Sequence, residues 1–259
     1  MIDFHNHVLP NLDDGSKSME QTLSMLKTAS EQGITDIICT VHYQHPKMDG
    51  IEISYDIVQN AIKQVQKEIN GIDIRLFPGS EVFYLPNLME IKSNPITVFG
   101  HGKYMLIEFQ THQLPLNYDQ ELFKLTLSGT TPIIAHPERY KPIQNNIDIV
   151  EKMINSGCLV QIDAGSLIGQ FGKNCKKISE MMLKRNMVHF IGSDAHNNTS
   201  RNFCLKDAKI ICQKLIGNKT KKILKENPKK LINGEKIIPF DIIEKDGENI
   251  IQRIFSKLK

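Results

Sequence analysis

The chain has 259 residues, 40% hydrophobic and 24% charged, with a net charge of +3. That is an ordinary globular composition, with length for one α/β barrel or two small domains and apolar residues for a sizeable core. The slight basic excess is not interleaved with aromatics, no stretch approaches the roughly 18 apolar residues of a membrane span, no basic segment precedes an apolar run at the N-terminus, and the five cysteines are scattered without C-x-x-C, so nucleic-acid binding, membrane insertion, secretion and a disulfide framework are set aside and a cytoplasmic protein is expected.

Residues 1–7 read as a short strand. Period-2 alternation turns Asp3, His5 and His7 to one face and Ile2 and Phe4 to the other. A loop of turn formers, Leu9 to Ser16, leads to a capping pattern at Ser18 and Gln21, opening a helix to about Glu31 that Gly33 closes. Residues 36–42 form an apolar run of the buried parallel-strand kind ending in His42. A helix at about 53–70 stops at Gly71, and a third strand, 72–82, delivers Glu81. After a short helical piece at 88–91, a fourth strand, 104–109, ends near Glu108. The fifth, 131–137, ends at His136; the sixth covers 158–164; the seventh, 188–196, ends in Asp194 and His196. Helices fit at about 116–127, 147–156 and 177–185. Two helices between 204 and 231 and an apolar tail at 236–243 are expected to pack outside the body, the tail's other reading being a contact in a homo-oligomer. No linker or repeat breaks the rhythm, so residues 1–259 are expected to form one domain.

Strand–helix alternation predicts right-handed βαβ units and a parallel sheet. Seven such strands favour an α/β fold closed like a TIM barrel, a (βα)7 barrel, with an open doubly wound sheet as the competing topology. In either topology the C-terminal ends of the strands share one face. His5, His7, His42, Glu81, Glu108, His136, Asp194 and His196 all fall at such ends. Burying imidazoles and carboxylates together without a cation is costly. Imidazole with carboxylate and no thiolate suits Mn2+, Fe2+ or Zn2+, and so many donors imply two or three ions. The acids of the Asp13–Asp14 pair compete for a further ligand position.

His5-Asn6-His7, Asp13-Asp14-Gly15, Thr40-Val41-His42, Gly79-Ser80-Glu81, Glu108, Ala135-His136-Pro137-Glu138-Arg139-Tyr140 and Gly192-Ser193-Asp194-Ala195-His196 occur in this order. Together they resemble the PHP (polymerase and histidinol phosphatase) superfamily. Within it the chain is most similar to the metal-dependent protein-tyrosine phosphatases encoded with bacterial capsule and exopolysaccharide genes. The resemblance implies a distorted seven-stranded (βα) barrel with a trinuclear site. One ion would lie among His5, His7, Glu81 and Asp194; a second would share Glu81 and take Glu108 and His136; a third would take His42, His196 and one loop acid, Asp14 favoured over Asp13. Mn2+ stands ahead of Fe or Zn. Arg139 and Arg201 would hold the phosphate, working with His42 and His196 at the reacting centre, where metal-activated hydroxide attacks phosphorus. The substrate would be a phosphotyrosine protein, namely the C-terminal tail of a bacterial tyrosine kinase controlling polysaccharide synthesis.

No cysteine has an arginine six residues on, so a Cys-x5-Arg phosphatase loop is missing. The rivals are a histidinol-phosphatase-like enzyme or other small-molecule phosphomonoesterase and a non-catalytic regulator of polysaccharide assembly. Asp3 is given a supporting part, packing or orienting an imidazole. His45, His101, His112 and His189 are expected to be bystanders. Tyr43, Phe83, Tyr84, Phe109 and Tyr140 are assigned to packing, with a slot for a phenyl ring as the alternative.

Overall fold

The computed structural model describes residues 1–48 and 50–244. Asp49 and residues 245–259, the end of the span expected to form one domain, lie outside the described residues. The strands are β1 (Ile2–Asp3), β2 (Asp36–Tyr43), β3 (Arg75–Phe83), β4 (Tyr104–Glu108), β5 (Thr131–Ile134), β6 (Leu159–Asp163) and β7 (Phe190–Gly192). They pair in parallel in chain order, as six consecutive βαβ-type steps require. The sheet curls until its edges meet. Asn6 bridges Ala195, the His7 amide donates to Ala195 O at 2.8 Å, and the Asp194 amide donates to His5 O at 2.7 Å. The open-sheet alternative is therefore excluded, and the fold is a distorted TIM-like barrel.

The barrel interior is filled by residues from nearly every strand or its end, among them Phe4, Ile38, Leu106, Ile133, Leu159 and Phe190. Phe4 and Phe190 stack with ring centroids 4.3 Å apart. Because side chains alternate with period 2, the inner face continues upward from Ile38 to His42, from Phe77 to Glu81 and from Leu106 to Glu108. The outward positions, such as Ile37, Ile107, Ile134, Val160 and Ile191, pack with the surrounding helices in a larger apolar layer.

The helices follow their local signals. Ser18 caps the helix Met19–Glu31, its hydroxyl accepting from the Gln21 amide, and Ser54 caps Tyr55–Glu68 in the same way. The helix expected at 177–185 begins earlier, at Lys173, because Gly172, with φ 91°, supplies the turn that admits it. Every strand but β2 is shorter than expected, and the first, fifth and seventh by three residues or more. Residues 1–7 are regular only at Ile2–Asp3: the chain bends at His5, which lets Phe4 enter the interior while both imidazoles stay at the rim. The fifth strand stops at Ile134 because His136 is left-handed at φ 31°, and the seventh stops at Gly192 because Asp194 is left-handed at φ 50°.

Of the C-terminal segment, Leu205–Ile216 is one helix and residues 219–232 the second, which passes through a π-turn at Lys222–Glu226 just before Pro228. The tail packs on the body. Ile237 is buried, its amide donating to Tyr104 Oη at 3.0 Å, and Ile243 exchanges hydrogen bonds with Arg185. No helix among the described residues is long and apolar enough to cross a membrane.

Candidate metal centre

Glu81, at the upper end of β3, is the hub. Its Oε1 accepts from His136 Nε2 at 2.8 Å, and its Oε2 lies 3.1 Å from His5 Nε2, 3.3 Å from His7 Nε2 and 3.2 Å from His42 Nδ1. Glu108 stands beside it on β4, 3.9 Å from His136 and 3.8 Å from His42. Asp194 Oδ1 faces His7 at 3.4 Å, His5 at 3.7 Å and His196 Nδ1 at 3.4 Å. The structure thus brings His5, His7, Asp14, His42, Glu81, Glu108, His136, Asp194 and His196 to one rim.

The Asp13–Asp14 pair divides its work. Asp13 is buried: Oδ2 accepts from His7 Nδ1 at 2.7 Å and from the His42 amide at 3.1 Å, and Oδ1 accepts from the Gly15 amide. It orients an imidazole from behind. Asp14 turns outward to the centre, its Oδ1 3.3 Å from both His42 Nε2 and His196 Nε2. Gly15 makes this loop possible, since a Cβ there would stand 2.1 Å from His7 O. His5 is oriented by Gln161, whose Oε1 accepts from Nδ1 at 3.1 Å, and not by Asp3. Asp3 instead binds backbone across the barrel seam, accepting from the amides of His5 and Ser193.

Arg139 and Arg201 also arrive. Arg139 Nη1 donates to Asp194 Oδ2 at 2.7 Å and to Asp163 Oδ2 at 3.1 Å, and Arg201 Nη2 donates to the same Asp194 oxygen. Both guanidinium carbons flank the Phe171 ring, at 4.9 and 5.6 Å from its centroid. Phe171, Asp163, Gln161 and Asp13's part went unread in the sequence. Asp163 and Gln161 on β6 had a signal, because polar residues at the inward positions of a strand must face something polar. Phe171 sits in a loop and offered none.

The electrostatics describe a site built for cations. Burial penalises charge on Glu81, yet His5, His136 and His7 hold its carboxyl well below the usual range. Glu108, buried beside Glu81, is pushed well above it. Burial also acts against the His5 imidazolium, but Glu81 and Asp194 outweigh it and lift its pKa to about 9. Asp13 is buried too, and His7 nonetheless draws its pKa down to about 2. Asp14 is lowered by the His196 and His42 imidazoles that it faces. Buried Asp14 Oδ1, His42 Nδ1 and Glu108 Oε2 have no hydrogen-bond partner. Donors bound about 2.0–2.2 Å from a common ion stand about 3 Å apart, and the Asp14, His42 and His196 separations match. Among the described residues four clusters bring their donor atoms within 4.8 Å of one another: His7, Asp14, His42 and His196; His5, His7 and Glu81; Glu81, Glu108 and His136; and His42, His45 and Glu108. The donors therefore fit divalent ions.

Among the expected bystanders, His101 hydrogen-bonds Leu231 O, His112 is exposed, and His189 Nδ1 accepts from the Val160 amide. His45 comes closer, its Nε2 3.7 Å from Glu108 and its ring 4.5 Å from that of His42. Tyr140 and Phe109 are core residues: Tyr140 Oη donates to Ala135 O and accepts from the Phe109 amide.

A family model described as capsular polysaccharide synthesis, CpsB/CapC, matches residues 1–233. CapC of Staphylococcus aureus is 40% identical over 207 residues, covering 80% of this chain and 81% of CapC. Tyrosine-protein phosphatase YwqE of Bacillus subtilis is 33% identical over 240 residues, covering 92% and 93%. A solved structure from a study of YwqE and Streptococcus pneumoniae CpsB, described as unique metal-dependent tyrosine phosphatases, superposes with a TM-score of 0.87 at 31% identity, covering 95% of this chain and all of that one. A histidinol phosphate phosphatase from Lactococcus lactis shares the fold, with a TM-score of 0.51 at 16% identity, covering 94% and 98%.

Proposed function

The chain belongs to the CpsB/CapC family of capsular polysaccharide synthesis, and we propose from that premise that it hydrolyses phosphotyrosine in proteins as a metal-dependent tyrosine-protein phosphatase. The observation that carries this reading is the meeting of imidazoles and carboxylates around Glu81, with two arginines at its edge. We assign His5, His7, Glu81 and Asp194 to one ion, Glu81, Glu108 and His136 to a second, and Asp14, His42 and His196 to a third, with Mn2+ as the native metal. Ions held there would supply Lewis acidity and activate water for attack on phosphorus.

The chain's own groups do the rest. Gln161 and Asp13 hold the His5 and His7 rings so that their Nε2 atoms face Glu81 and Asp194. Asp194 anchors Arg139 and Arg201, leaving their remaining N–H groups to bind the equatorial phosphate oxygens; the buried Arg201 Nε has no other partner. A fixed guanidinium stabilises the charge that builds on those oxygens without reorganising. The leaving phenolate has an ordinary pKa of about 10, so protonation of the leaving group is less demanding than for an alkyl ester. The substrate we assign is the C-terminal tail of a capsule tyrosine kinase.

Phosphate release from a phosphotyrosine peptide tests the reading, using protein stripped with chelator and then reloaded. Activity should vanish on stripping and return with Mn2+, exceeding that on histidinol phosphate. Full activity in the stripped enzyme, or no turnover with Mn2+, Fe2+ or Zn2+, would sink it. His136→Ala and Asp194→Ala should lose bound metal together with activity.

A further inference from the structure

We propose that the cleft beside Arg139 is a subsite for acidic side chains flanking the phosphotyrosine, an inference that rests on the phosphatase reading above. The cleft has a volume of ≈ 580 Å³ and is lined by residues that include Arg139, Lys141, Gln144, Phe171 and Lys173, with no carboxylate among them. Lys141 and Lys173 are exposed, and neither enters an ion pair among the described residues. Lys141 Nζ does no more than donate to Gln144 Oε1 at 3.3 Å.

Arg139 belongs to both places. Its Nη1 reaches Asp194 in the metal centre, while its flat face lies against Phe171, which forms a wall of the cleft. A phosphate held at the centre against Arg139 therefore places the rest of its peptide next to Lys141 and Lys173. An extended peptide advances about 3.3–3.6 Å per residue, so the residues beside the phosphotyrosine fall within a cleft of this size. Arg139 is already paired with Asp163 and Asp194, but Lys141 and Lys173, two cations with no carboxylate in the cleft lining, favour an anionic occupant. Glu or Asp in the flank supplies that charge, and Phe171 offers an apolar surface to the stem of such a side chain.

The test compares two phosphotyrosine peptides, one with Glu and Asp beside the phosphotyrosine and one with Gln and Asn in their place. Exposed ion pairs are individually weak, so kcat/KM for the acidic peptide should exceed that for the neutral one by about 3- to 10-fold, chiefly through KM. Since the Debye length shrinks to about 3 Å at 1 M salt, the preference should fade as salt is raised. In the K141E/K173E double variant the ratio should fall to one or below. Equal kcat/KM for the two peptides in the wild type, or a ratio that survives the double substitution, overturns the subsite. p-Nitrophenyl phosphate has no flank and reports the metal centre alone. If it and both peptides go unhydrolysed, the phosphatase reading falls, and binding of the same peptides followed by fluorescence anisotropy still decides the subsite.

Discussion

Asp194 shows how much one residue can be asked to do. Its backbone closes the barrel by donating to His5 O, one carboxylate oxygen faces the imidazoles, and the other holds both arginines. It does so from a left-handed backbone at φ 50°, as does His136 at φ 31°, a strained conformation that persists where surrounding contacts over-determine it. Asp13 acts one step back, through His7. Removing an oxygen that orients a ligand imidazole typically costs 10- to 100-fold in metal affinity. Asp13→Asn should therefore weaken Mn2+ binding by about 10- to 100-fold in calorimetric titration while leaving the fold intact by circular dichroism; unchanged affinity would remove Asp13 from its supporting part. Gly192 is constrained by space, since a Cβ would stand 2.3 Å from the His5 Cβ. Gly192→Ala should destabilise by about 1–3 kcal/mol in urea unfolding and reduce bound metal, because the residue it displaces, His5, is a proposed donor.

At the scale of elements, the helices were the legible part. The Ser18 cap and the glycine stops are local, so spacing alone locates the helices to within a few residues. The strand ends were not, because what terminates β5 and β7 is the left-handed His136 and Asp194, and although Asp and His visit that region more than most residues, spacing does not mark which of them will. His189, leading into β7, gives this element a pH dependence. Burial pushes its pKa down to about 3, and its Nδ1 accepts from the Val160 amide on β6. The unfolded chain takes up a proton near pH 6.5 and the folded one only near 3, so stability is full above the higher value and is lost as pH falls through that window. At about 1.4 kcal/mol per pH unit, wild type should lose roughly 2.5 kcal/mol through this one group between pH 7 and pH 4.5. His189→Gln, which cannot titrate, should be less stable than wild type at pH 7 and close much of the gap at pH 4.5. Urea midpoints of the two proteins at both values check this; a constant difference would show that His189 stays unlinked.

For the whole molecule, the proposed metal centre reaches the barrel seam. His5, His7 and Asp194 come from the two edges that meet, and Asn6 and Ala195 bridge between them. Ions that bind only the folded chain stabilise it by mass action, about 2.7 kcal/mol at a hundred times the dissociation constant. Stripping the metal should therefore lower Tm, and adding Mn2+ should raise it in a concentration-dependent manner, measured by differential scanning fluorimetry. A Tm indifferent to chelator and metal would mean that the seam closes without help from the donors.

The alternation of strands and helices, a parallel sheet and the eight strand-end candidates followed from the sequence alone, because periodicity, caps and the residue type at each strand end are local properties. The tertiary structure decided what no local pattern contains. It closed the sheet into a barrel and excluded the open alternative. It sent Asp13 behind His7 and Asp14 into the centre, turned both arginines onto Asp194, and set Phe171 from a distant loop against them. Those relations depend on which strands become neighbours and how far each side chain reaches across the rim, and spacing along the chain encodes neither.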